Sequence, residues 1–211
     1  MLGLLKNLLG GSNKPLTTRT LRHPRDLRTG DIIRFKFLDQ SALSGQQFEV
    51  AMINTYVYDQ LWYLEYVLKD ATGNLLYLMV EEEDGEEYLA ISQKVRKSAI
   101  GELFSADQLQ AAMEGGIGSK IELTGKPEGL QEWLKRSYRK VDNAVQGAFV
   151  RGDAREISEV EFNRQEHFVS HVLVSKNDEF ALEFETYNGE TELSATVYHD
   201  INEIDEMWPS A

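Results

Sequence analysis

Asn188-Gly189 separates two runs in which apolar and polar residues alternate, Phe180 to Tyr187 and Glu190 to Val197. Both residues tolerate positive φ, so the dipeptide closes a two-residue hairpin and fixes how the flanking strands align. Tyr187 then faces Glu190, Phe184 faces Leu193, Leu182 faces Ala195 and Phe180 faces Val197, which makes one face apolar throughout. Upstream, Lys176-Asn177-Asp178 reads as a second turn with Ser175 opposite Glu179. It sets Val174 opposite Phe180, Val172 opposite Leu182 and Ser170 opposite Phe184. The other face then carries His171 opposite Glu183 opposite Ser194, with Glu185 and Glu192 beside them and His167 nearer Tyr187.

The same two-residue period recurs after Thr29-Gly30-Asp31, in Ile32 to Phe37, Gln47 to Tyr56, Leu61 to Lys69, Leu75 to Val80 and Tyr88 to Ser92. Asp70 to Asn74 supplies a turn, and Glu81 to Glu87, six carboxylates in seven residues, reads as a solvated loop without the ligand spacing of a calcium site. Trp62, Tyr63, Tyr66 and Tyr77 read as sheet packing. Between the two strand-rich regions, Ser105 caps a short helix that Gly115-Gly116 ends. Lys120 to Thr124 reads as a strand, and Leu130, Trp133 and Leu134 recur at helical spacing. Ile201, Ile204 and Trp208 fit one face of a closing helix. The expected class is α+β and predominantly antiparallel, with two small twisted sheet or barrel-like modules and a few short helices. The expected divisions are residues 1–15 as an N-terminal peptide and joint, 16–97 as a first β module with a basic lead-in, and 98–211 as an α+β module ending in a β-meander. The likeness of Trp62 to Tyr66 and Phe180 to Phe184 suggests related modules.

Charge is segregated along the chain. Residues 1–40 hold eight Lys/Arg against three Asp/Glu, and the remainder fourteen against thirty-two. An acidic body repels phosphate, so a nucleic-acid partner is not expected. Cysteine is absent, which excludes disulfides, thiolate nucleophiles and cysteine metal sites and fits a cytoplasmic setting. No run approaches the roughly 20 apolar residues of a spanning helix, and the N-terminus lacks the charge and cleavage pattern of a secretory signal. On a helical wheel Leu2, Leu4, Leu5, Leu8 and Leu9 share one side, an amphipathic pattern suited to its own core, a partner groove or a membrane surface. A flexible Gly10 to Pro15 joint follows. Arg19, Arg22, Arg25 and Arg28 recur every third residue, so an extended chain would align them against phosphate or strap them over the acidic body.

Catalytic chemistry finds no support in these patterns. With Glu183 between His171 and Ser194 there is no proton path from imidazole to hydroxyl, and no nucleophile elbow precedes Ser194. His167 and His171 lie too far apart along a strand for one metal ion. No cofactor is implied: the glycines near Gly115 follow a helix end, whereas a dinucleotide fingerprint follows a strand.

Gly30-Asp31-Ile32, Phe48-Glu49-Val50, Trp62 to Tyr66 and Gly73 together resemble an uncharacterised bacterial domain. Phe180 to Glu185, Ala195 to Tyr198 and Ile204 to Trp208 resemble the YjfK-like family. The resemblance covers about two-thirds of the chain and implies no activity and no site residue. It implies a setting beside phage-shock-protein-A-like membrane-remodelling proteins and glutathionylspermidine-synthase-like ligases. The amphipathic peptide, the joint after it and the absence of a catalytic constellation make the expected function a non-enzymatic cytoplasmic adaptor that binds a partner protein, its N-terminal peptide anchoring it to that partner or to the inner membrane face. The alternative is a binder of a polyamine-like cation, or an accessory enzyme subunit, using His171, Glu183, Glu185 and Glu192.

Overall fold

The computed structural model describes residues 19–210. Twelve strands form: β1 (Ile32–Phe35), β2 (Gln47–Tyr58), β3 (Leu61–Lys69), β4 (Leu75–Glu83), β5 (Glu86–Lys94), β6 (Lys120–Glu122), β7 (Ser137–Lys140), β8 (Val145–Val150), β9 (Glu166–Ser175), β10 (Phe180–Tyr187), β11 (Glu190–Asp200) and β12 (Ile204–Trp208). Helices α1 (Lys97–Leu103) and α2 (Ala106–Glu114) lie between β5 and β6, and α3 (Glu159–Phe162) precedes β9. Ser105 caps α2 by accepting from the Gln108 N–H, as its sequence position predicts. Three hairpins close on residue pairs with positive φ, Asp59-Gln60 at 47° and 69°, Asp84-Gly85 at 54° and 82° and Asn188-Gly189 at 49° and 86°.

All pairings among these strands are antiparallel, in the order β12-β1-β2-β3-β4-β5-β11-β10-β9-β7-β6, and β8 bridges β2 and β9. Strands β2, β3, β4, β5, β11, β10, β9 and β8 thus close into an eight-stranded barrel. The two expected modules are one ring, because β5 and β11 zip together over seven residue pairs. On the other side the joint is short: β8 meets β2 only at Thr55, Tyr56 and Val57.

The strand register separates two environments. On the outer face Leu68, Leu78, Ile91, Val197, Leu182 and Leu173 are buried in one cluster with Leu103 of α1, Ala112 of α2 and the Leu130 to Leu134 turn, whose Trp133 is 2% exposed. This is the main apolar core, and each such fully buried side chain contributes about 1.5–3 kcal/mol. The inner face is largely polar. At Gly147 on β8 a Cβ would lie 2.4 Å from Phe168 and 2.8 Å from Tyr58, so glycine is what lets these two aromatics pass inside the wall.

Four expectations are corrected. The Asn188-Gly189 register is as expected from Phe180↔Val197 to Tyr187↔Glu190. The β9–β10 register is displaced by one residue, with Leu173 opposite Leu182, His171 opposite Phe184 and Val172 opposite Glu183. The connecting turn takes four residues: Asp178, at φ 56°, donates to the Ser175 carbonyl, and the Phe180 N–H closes onto Ser175 Oγ. A one-residue shift turns every β9 side chain to the other face, so His171 leaves the Glu183 face and Ser170 joins it. Glu81 to Glu87 is the β4–β5 hairpin, turning at Asp84-Gly85, and is not a loop. Ile201–Glu203 is one 3₁₀ turn followed by strand β12 on β1, where a helix was expected, and Leu130 to Leu134 is a turn and not a helix.

Candidate functional site

The barrel interior collects ionisable side chains from non-neighbouring strands. A small cavity of about 30 Å³ is lined by Tyr56 and Tyr58 (β2), Glu65 (β3), Tyr77 and Met79 (β4), Ser92 and Lys94 (β5), Ser194 (β11), and Glu183 and Glu185 (β10). Only the inside of a ring can be lined by six successive strands. About one water molecule fills such a volume, so side chains themselves occupy most of the lumen.

Glu185, 3% exposed, accepts from Lys94 Nζ at 3.3 Å, from the Tyr56 hydroxyl at 3.3 Å and from the Tyr187 hydroxyl at 3.2 Å. Lys94 also reaches Glu192 at 3.3 Å and lies 5.7 Å from the Tyr77 ring centre. Burial opposes the Lys94 charge, but Glu185, Glu65 and Glu192 outweigh it and raise its pKa. Glu65 is 5% exposed and, among the described residues, accepts from Asn54 alone, at 2.8 Å. Desolvation pushes it up to about 7, against the lowering effects of Asn54 and Lys94. Glu183 faces the cavity and is also raised, by desolvation first and then by the neighbouring Glu185 charge. Four carboxyl groups, with Glu192 the most exposed of them, therefore share one ammonium.

A second hollow, of about 230 Å³, lies on the outer wall. Trp62, Leu64, Tyr66, Val80 and Tyr63 line it together with Arg25 and Arg155. Trp62 is 48% exposed, a correction to its reading as sheet packing. Arg155 forms a two-pronged pair with Asp153 and donates to the Arg25 carbonyl at 2.6 Å and the Leu27 carbonyl at 2.7 Å. The Tyr66 hydroxyl donates to the same Arg25 carbonyl at 3.2 Å. Strand β3 and Arg155 thus pin the basic lead-in against the wall.

That lead-in is not an extended strip. Pro24–Asp26 makes a 3₁₀ turn, capped at both ends of its box by His23 and Asp26. Arg19 pairs with Asp31, Arg25 with Glu87 at 3.0 Å and Arg28 with Glu156 at 3.4 Å, so three guanidiniums go to three separate carboxylates. The Arg22 backbone N–H donates to Asp26. Leu2, Leu4, Leu5, Leu8 and Leu9 lie outside the described residues. His171 stands on the outer face, where its Nδ1 accepts from the Ala144 N–H at 3.3 Å, apart from Glu183, Glu185 and Glu192 in the lumen. Among the described residues no three His, Asp or Glu side chains are placed to hold a metal ion, and no helix is long and apolar enough to cross a membrane.

The sequence reading found Glu183, Glu185 and Glu192 but missed Glu65, Lys94 and Tyr56. Alternation alone assigns Glu65 and Lys94 to faces of their strands. That those faces look at each other depends on ring closure, which has no local signal. No family model, curated protein or solved structure matches this chain.

Proposed function

We propose that this protein is a non-enzymatic adaptor that holds a partner protein at the Trp62 cleft. The observation that carries the reading is a half-exposed tryptophan in a concave wall with two tyrosines and two arginines, the side chains that dominate binding energy at protein interfaces. Arg25 is held by Glu87 at a solvent-accessible position, so a partner carboxylate can exchange for it, while Leu64 and Val80 accept an apolar side chain. The preferred partner surface is therefore an apolar residue flanked by an acidic one. The resemblance to the YjfK-like family makes a phage-shock-protein-A-like protein at the inner membrane face the first candidate, with Leu2, Leu5 and Leu9 as the membrane contact.

Titration calorimetry with that purified protein tests the reading. Trp62→Ala is expected to weaken binding at least about tenfold, the usual scale for an interface anchor, while leaving the unfolding midpoint unchanged. Equal affinity for both forms removes the cleft from the interface, and absence of binding by the intact chain removes this partner. Co-sedimentation with anionic vesicles, comparing the full chain with one lacking residues 1–14, tests the membrane contact separately: equal recovery of the two would refute it.

A further inference from the structure

A closed ring fails first at its weakest seam. Here the seams are unequal: β10 and β11 pair over eight residues and β5 and β11 over seven, whereas β2 and β8 pair over three. The middle residue of that short seam is Tyr56, whose hydroxyl crosses the lumen to Glu185. The weakest part of the wall is thus tied directly to the carboxyl cluster.

The cluster is out of balance. Glu65 faces Tyr56 and Asn54 from β2, Tyr77 from β4, Lys94 from β5, Glu192 from β11, and Glu183 and Glu185 from β10. Glu183 faces Glu185 on its own strand, Tyr56 and Tyr58 from β2, Glu81 from β4, Lys94 from β5 and Tyr198 from β11, with Asp142 farther off. Lys94 is the one ammonium among them, and Glu185 and Glu192 already claim it.

We propose that the barrel is a proton-controlled clamp, closed while Glu65 and Glu183 carry protons and opening at the β2–β8 seam when they lose them. With both protonated, Lys94 balances Glu185, while Glu192, whose side chain is 53% exposed, is left to solvent at the mouth. When both ionise, two unbalanced charges remain in a space that admits about one water, and relief requires solvent to enter. Solvent enters where three residue pairs must part, not where seven or eight must. The desolvation that raises both carboxyls puts the event near neutral pH.

Hydrogen exchange of the full chain at pH 6, 7.5 and 9, corrected for intrinsic rates, tests this. Protection at Thr55 to Val57 and Ala148 to Val150 is expected to fall at least about tenfold from pH 6 to 9 while β10 and β11 hold theirs. The Glu65→Gln/Glu183→Gln double variant, with Glu183→Gln alone as a second variant, is expected to flatten the seam response. Carbon-13 titration of the unmutated protein's carboxyls must find two that ionise above pH 6. Flat seam protection, an unchanged slope in the variants, or equal loss at β10 and β11 overturns the proposal.

Discussion

Lys94 shows how much a single side chain decides inside a closed wall. Its ammonium, on a side chain 32% exposed, satisfies Glu185, whose side chain is only 5% exposed. Removing it leaves an uncompensated buried carboxylate, so Lys94→Met is expected to lower stability by about 3–5 kcal/mol at pH 7. Urea unfolding measures this, and a loss below about 1 kcal/mol would mean that Glu185 finds another counter-charge. Nothing about Lys94 in the sequence distinguishes it from Lys97, three residues on, which is exposed and pairs with Glu190 at 2.7 Å. The alternation of Tyr88, Ala90, Ser92 and Lys94 marks a face, but the identity of the chain opposite is supplied by β10 and β2, which are distant in sequence. Gly147 is similar: as a strand glycine it signals a close approach, but not that Phe168 and Tyr58 are what approaches.

Elements whose partners are local were legible, and those whose partners are remote were not. Hairpin β10–β11 has the register that Asn188-Gly189 dictates, and α2 begins at its serine cap. The β9 register failed because Lys176 to Glu179 forms a four-residue turn, in which Asp178 takes the positive φ that glycine or asparagine more often supplies. Strand β8 went unseen because Val145 to Val150 is short and contains glycine, and its place between β2 and β9 belongs to the ring. The basic lead-in depends in the same way on Arg155. Arg155→Ala removes both its carbonyl bonds to the lead-in and its pair with Asp153, which predicts a loss of about 2 kcal/mol. Proteolysis should then cut first near Arg25, and an intact lead-in in the variant would assign its anchoring to Tyr66 and Glu87.

At the scale of the whole molecule, the shared ring predicts one cooperative unfolding transition, with no separate event for residues 16–97 and 98–211. The pH dependence of that transition follows from the signs of the shifts. Glu65 and Glu183 bind protons more tightly folded than unfolded, so their contribution is complete below about pH 4.5 and declines as pH rises through 7 and beyond, on the order of 3 kcal/mol for Glu65 alone. His171 and His199 are lowered by burial and oppose this as pH falls through about 6.5. Asp26 and Asp153 are lowered too, the first chiefly by the Arg22 N–H and the second by Arg155 overcoming its desolvation, so stability is lost below about pH 4. The denaturation midpoint should therefore peak near pH 6 and decline toward pH 9, with Glu183→Gln reducing the decline. A midpoint that climbs from pH 6 to pH 9 would contradict the buried-acid account.

The order in which these strands leave the ribosome gives the short seam a further meaning. Val57 in β2 is synthesised long before Ala148 in β8, its partner, and Tyr88 long before Asp200. Hairpins β2–β3 and β4–β5 must therefore wait as an open sheet with two bare edges, the arrangement that invites mispairing with other chains. The last strand pairs to form set the pace of folding, because distant contacts cost loop entropy before they return any stability. For this chain those last pairs are β2 with β8 and β5 with β11.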